Sequence, residues 1–324
     1  MPRGAVELTA EEGVLRHFRA EYGIPDASRP VRVAISILDR LPDGAVSDLH
    51  GRYKTISWSV SLGQADSDPL RATLALKGRP RWFGLSLVQG FIIEPLISLA
   101  SALDGQVLLP AAGIAEHGGV LLLIGRSRSG KSSVSARALA LGRQVLGDDQ
   151  VLVDPGGAIG PFPRRMRVYD DLMVTSPMAV RSLPQRLRLG LHLRRVLRMA
   201  TRGFVAPSLA LPHTALGGAR ATVAMPVHRI VVVRRSASAQ ELSMEPMASE
   251  DVRSEAMEIL SEQRARLNRL HRDDWRVLLR SVAERESAML DAALRRAPTY
   301  RVIVPESWGA PAAVEALGRV LDIT

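Results

Sequence analysis

The chain has 324 residues, 46% of them apolar and 23% charged, enough to bury a substantial core in one large or two modest domains. Cysteine is absent, which excludes disulfides and thiolate metal sites and fits a reducing cytoplasm. The net charge of +10 favours acidic partners, but aromatic content of 4% and the lack of zinc-finger spacing argue against nucleic acid.

The first ten residues carry no apolar run of signal-peptide length. Residues 5–22 are expected to be helical, with a turn region from Pro25 to Pro30. Residues 31–37 alternate like a half-buried strand, residues 55–62 do so more strictly, and residues 71–77 and 82–87 continue the β pattern. The apolar run Phe91-Ile92-Ile93 stops at Glu94 and Pro95, so no membrane span and a soluble protein are expected. A helix over 95–103 then leads into a strand at 106–109. Residues 1–104 thus read as a β-rich accessory unit and residues 105–324 as a second domain, in an α/β fold.

In that second part, Val120 to Ile124 is a continuous apolar run that reads as a buried parallel strand. Residues 133–141 read as a helix stopped by Gly142. Residues 144–154 read as two short strands meeting at Asp148 and Asp149, closed by a turn at Pro155-Gly156-Gly157. Residues 161–203 are rich in Pro and Arg. A strand is expected at 227–233, helical periodicity over 250–296, a last strand at 300–304 and a helix at 312–321.

Between the 120–124 strand and the helix lies Gly125-Arg126-Ser127-Arg128-Ser129-Gly130-Lys131-Ser132, which fits G-x-x-x-x-G-K-[ST] at every fixed position. A strand feeding such a turn into a helix aims backbone N–H groups and the helix N-terminus at one point, where phosphate oxygens bind. The expected nucleotide contacts are Gly125 through Ser132, with Ser133 beside them. Lys131 would reach the β/γ-phosphates and the Ser132 hydroxyl would ligate Mg²⁺, though the loop alone does not choose between ATPase, GTPase and kinase. Lys131 is one of only three lysines in a chain with 43 basic residues. As a loop residue it is expected to be exposed.

Asp148 and Asp149 follow Ser132 by only sixteen and seventeen residues, so one helix and one strand return the chain to the phosphates. Two carboxylates there can divide the work, one holding Mg²⁺ and the other accepting the proton of an attacking hydroxyl. The spacing alone leaves open which does which.

The segment from Leu109 to Asp149, L-P-A-A-G-I-A-E-H-G-G-V-L-L-L-I-G-R-S-R-S-G-K-S-S-V-S-A-R-A-L-A-L-G-R-Q-V-L-G-D-D, resembles the HPr kinase/phosphorylase family. That family's nucleotide site is similar to that of phosphoenolpyruvate carboxykinase. The resemblance implies a kinase core of that type, with Asp148 as general base and Asp149 as its acidic partner near Mg²⁺. This chain departs from the family in having Arg128 at the second loop glycine, Pro110 at the upstream histidine, and G-P-F-P-R-R-M-R-V-Y-D-D (160–171) where a glycine-rich signature would lie. With those departures it looks more like the divergent HPr-kinase-like proteins of peptide natural-product pathways. That resemblance implies a serine of a peptide or protein as phosphate acceptor.

Other signals are weaker. His271-Arg272-Asp273 is expected to be the surface of an amphipathic helix, since the Asn that a protein-kinase loop needs is missing. Seven arginines from Arg181 to Arg202, with no acid among them, could grip an acidic substrate or simply form a solvated face. Arg164, Arg165 and Arg167 could help to neutralise charge near the aspartates. The seven histidines show no ligand spacing. The expectation is therefore an ATP- and Mg²⁺-dependent kinase acting on an acidic peptide or protein hydroxyl, compatible with a homo-oligomer. The rival readings are a small-molecule kinase and a non-kinase NTPase switch with an acidic or nucleic-acid partner. No guanine-reading N-K-x-D run and no L-S-G-G-Q supports the switch.

Overall fold

The computed structural model describes residues 5–23, 29–202 and 208–323. Residues 25–28 of the expected Pro25–Pro30 turn lie outside that set. The chain is a mixed α/β protein that divides into two compact units, Pro2–Leu108 with Met257–Leu290, and Leu109–Ala256 with Asp291–Thr324. The helical segment 257–290 therefore packs within the first unit.

In the first unit, β1 (Ala5–Thr9), α1 (Glu12–Tyr22), β2 (Val31–Leu38), β3 (Leu49–Tyr53), β4 (Ile56–Leu62) and β5 (Leu70–Lys77) precede a long helical stretch. The sheet order is β1-β2-β5-β4-β3. The strict alternation of I-S-W-S-V-S-L in β4 appears as strictly alternating burial, with Ile56, Trp58, Val60 and Leu62 facing inward. Two expectations fail here. Residues 5–9 are a strand, not the start of a helix, because A-V-E-L-T pairs in parallel with β2 (Val6 opposite Val33). Residues 82–87 are helical, because a short apolar run without clear period suits a buried helix as well as a strand.

That helix is α2 (Arg81–Val88), which passes through a π-helical turn (Gln89–Ile93) into α3 (Glu94–Leu103). Glu94 does not break the apolar run. It is buried and accepts hydrogen bonds from the Tyr22 hydroxyl at 2.9 Å and Gln89 Nε2 at 3.0 Å. Pro95 lies at the start of α3 directly after the π-helical turn, and the helical stretch runs on through it. The continuous stretch Arg81–Leu103 is long and apolar enough to cross a membrane, but 72% of its apolar window is buried inside the protein.

The remaining elements are β6 (Val107–Leu109), β7 (Ala111–Glu116), β8 (Gly119–Ile124), α4 (Lys131–Ala140), β9 (Gln144–Gly147), β10 (Val151–Val153), β11 (Ala158–Pro161), β12 (Met166–Val168), α5 (Leu172–Thr175), α6 (Pro177–Ser182) and α7 (Gln185–Ala200). They continue with β13 (Leu209–Leu211), β14 (Ala219–Arg220), β15 (Met225–Ser236), β16 (Ser243–Pro246), α8 (Ser249–Gln263), α9 (Asp273–Leu294), β17 (Thr299–Pro305) and α10 (Ala310–Val320). His271 and Arg272 precede α9 and Asp273 opens it, so the string does not lie within a helix. Arg272 there bonds Asp274 and the Leu62 carbonyl, and Trp275 is fully buried with its indole N–H on the Gly63 carbonyl at 3.0 Å. Those bonds fix the start of α9.

The second unit is built on a sheet in which β14, β9, β7, β8, β15, β17 and β16 lie side by side. β15 runs parallel to β8, and β17 parallel to β15. β7 is antiparallel to both β8 and β9, so β9 runs the same way as β8. β14 is parallel to β9, so five strands, β14, β9, β8, β15 and β17, run the same way and end at one edge of the sheet, with antiparallel β7 between β9 and β8. Every residue of β8 is buried, as expected, although only one of its two partners is parallel. α4 packs on this sheet through Val134, Ala138 and Leu139, and Gly142 beyond it adopts φ 79°, the left-handed stop expected from the sequence.

Candidate active site

The strand ends at that shared edge carry the site, as crevices outside the carboxyl ends of strands usually do. From β8 the chain enters the loop at Gly125. A side chain there would put a Cβ 2.8 Å from the Val233 carbonyl oxygen and 2.9 Å from Ser129 Oγ, so only glycine lets the loop lie this close to β15. Arg126, Ser127 and Arg128 form the exposed crest, and Ser129 is buried beneath it. Gly130 (φ 101°) turns the chain into α4, and no side chain caps that helix. Its first N–H groups are left for an external acceptor. Arg128 adopts φ 67°, a left-handed conformation that costs a residue with a Cβ about 1–2 kcal/mol.

Lys131 is buried, not exposed as a loop residue would be. Its Nζ donates to the carbonyls of Gly125 at 2.5 Å and Arg126 at 3.0 Å, and more weakly to Ser129 Oγ at 3.4 Å. Burial holds its pKa below the usual lysine value, while the charges of Asp149 and Asp148 oppose that shift. The ammonium is therefore folded onto its own loop and lies within the field of both aspartates. Ser132 is half-buried at the start of α4. Ser133 turns its hydroxyl to Thr175 Oγ1 at 3.2 Å, and Ser176 Oγ bonds the Ser133 carbonyl at 3.0 Å. Through those contacts α5 and α6 brace the first turn of α4.

The aspartates sit in the bend between β9 and β10, as the sequence suggests. Asp148 is 3% exposed, and its pKa is pushed up to about 7, first by burial and then by the neighbouring Asp149 charge. Arg164 and Lys131 pull it back only in part. Asp149 is exposed and accepts a hydrogen bond from Arg164 Nη1 at 2.7 Å, so the two adjacent carboxylates live in different environments. Arg165 and Arg167 follow on the same stretch, half-buried.

Some of the surroundings were not foreseen. Gly147 makes the bend possible, and Thr175 and Ser176 hold α4. A second acidic pair, Asp170 and Asp171, lies just before α5. Asp170 pairs with Arg198 at 2.9 Å, and the Asp171 pKa is raised by burial and by Asp170. The Y-D-D-L string was the only signal for them.

Among the described residues no group of three or more His, Asp or Glu could hold a metal ion by itself. Asp149 and Ser132 offer one accessible carboxylate and one hydroxyl. That hard-oxygen set fits Mg²⁺, which takes most of its ligands from water and phosphate. No protein-family model matches the chain, and no curated protein matches it.

Proposed function

We propose that the chain is an ATP-dependent kinase that transfers the γ-phosphoryl group to a hydroxyl, a serine of a peptide or protein. The observation that carries this reading is Asp148, a buried carboxyl with a pKa of about 7, within the electrostatic reach of Lys131. A carboxyl in that range is half-ionised near neutrality and suits general-base work. A structural aspartate in a turn gains nothing from such burial.

In this reading the Gly125–Ser132 stretch is a P-loop, and its N–H groups with the α4 N-terminus cradle the ATP phosphates. Lys131 exchanges its loop carbonyls for the β/γ-phosphate oxygens. Asp149 and Ser132 would hold Mg²⁺, which would neutralise phosphate charge. Asp148 takes the proton from the acceptor hydroxyl as its oxygen bonds to the γ-phosphorus. The bond from that phosphorus to the β,γ-bridging oxygen breaks, and ADP leaves with the electron pair. Arg164, tied to Asp149, adds positive charge beside the transferring group.

Incubation with γ-labelled ATP and a pool of serine-containing peptides tests the proposal. Phosphoserine and ADP in equal amounts support it. ATP hydrolysis stimulated by polynucleotide, with no phosphorylated product, replaces it with an NTPase.

A further inference from the structure

Eight of the fifteen large apolar side chains exposed among the described residues fall between Tyr169 and Met199. Five of them, Leu189, Leu193, Val196, Leu197 and Met199, lie on α7 and are 44–61% exposed. At roughly 100° per residue they form one stripe along the helix. The opposite side, at Leu191, is fully buried in the core of the second unit. α7 thus spends one face on its own fold and leaves a second apolar face in solvent.

Charge narrows what can cover that face. No acidic residue occurs between Asp171 and Glu241, while α7 alone carries Arg186, Arg188, Arg194, Arg195 and Arg198. Arg194 and Arg198 are engaged, with the Ser208 carbonyl and with Asp170. Arg186 and Arg195 are exposed beside the stripe. A second copy would set arginine against arginine. A hydrocarbon surface would strand Gln185 and His192, which fall on the same side as Val196. A helix bearing leucines and carboxylates would satisfy both the apolar residues and the guanidiniums.

The position of α7 gives that partner a purpose. The Arg198–Asp170 ion pair ties α7 to the residues that open α5, and α5 meets Ser133 in the first turn of α4. We propose that the outer face of α7 docks an acidic amphipathic helix of the peptide or protein whose hydroxyl is phosphorylated. This rests on the kinase reading for its purpose, not for the binding itself.

The test selects helical peptides of α7's length from a displayed library with no charge bias, using the full chain as bait. The selected peptides should carry apolar residues at i, i+4 and i+7 with Asp or Glu between them. Their affinity, read by fluorescence anisotropy, should fall at least about tenfold with Leu193→Glu/Val196→Glu, and about tenfold as salt rises from about 0.05 to about 0.5 M. The double variant should keep its circular dichroism spectrum and basal ATP hydrolysis, and Lys131→Ala should bind the peptides as wild type does. Peptides without acidic bias, or binding indifferent to the double variant, would overturn the dock. So would sedimentation with phosphatidylserine vesicles, or dimerisation through α7, in place of peptide binding. Peptide binding without phosphoryl transfer would sink the kinase reading and leave the dock standing, and transfer without α7-dependent binding would do the reverse.

Discussion

A Cβ on Gly147 would stand 2.1 Å from the carbonyl oxygen of Gln150, well inside any contact that real side chains make. The bend that presents Asp148 and Asp149 is therefore closed backbone on backbone, and no side chain can give way. Gly147→Ala should destabilise the second unit by about 1–3 kcal/mol, as overpacking does. The small entropic gain of removing a glycine from the unfolded chain does not offset this. Urea denaturation measures it, and unchanged stability would mean that the bend opens freely.

Asp148 sets two pH dependences. Its folded pKa of about 7 lies above the ordinary 3.8, so the carboxyl weakens the fold as pH rises from about 4 to about 7, and the full cost persists above that. The shift corresponds to about 4 kcal/mol at most. Asp148→Asn should therefore raise the melting midpoint at pH 8 and leave it nearly unchanged at pH 4. In the wild type, transfer should rise with pH around a midpoint near 7, because the base form is the ionised one. A flat profile between pH 6 and 8 would remove Asp148 from that role.

Lys131→Ala should reduce ATP turnover by about two orders of magnitude or more. Its effect on stability should stay within about 1 kcal/mol, because the lost bonds to Gly125 and Arg126 are balanced by no longer burying a charge. Thermal unfolding with parallel turnover assays checks both halves.

Arg128 holds a strained backbone and an exposed cation at the loop crest, and two substitutions separate these. Arg128→Gly should stabilise by about 0.5–1 kcal/mol, the left-handed strain exceeding the entropy glycine loses. Arg128→Gln should weaken ATP binding equally without that gain. Equal melting midpoints for the two variants would contradict the strain.

Much of the second unit was legible because its signals are local. The apolar run of β8, the stop at Gly142 and the acidic bend between β9 and β10 each follow from neighbouring residue types. The mixed α/β class followed from the same patterns. Residues 5–9 were misread because pairing with β2, a contact distant in sequence, decides their state. Residues 82–87 were misread because a buried apolar run carries no period. The burial of Lys131 was not legible either, since it depends on the loop folding its own Gly125 and Arg126 carbonyls around the ammonium. The exposed stripe of α7 looks in sequence like any amphipathic helix. Only burial of Leu191 on the other side shows that the apolar face is spare.

Single-turnover transfer by Asp148→Asn, measured beside its ATP affinity, decides whether the loop and Asp148 form one phosphoryl-transfer site. The variant should keep an ATP Kd within about twofold of wild type and transfer to the serine acceptor about 10²–10⁴-fold more slowly. Transfer at the wild-type rate in that variant would contradict a shared site.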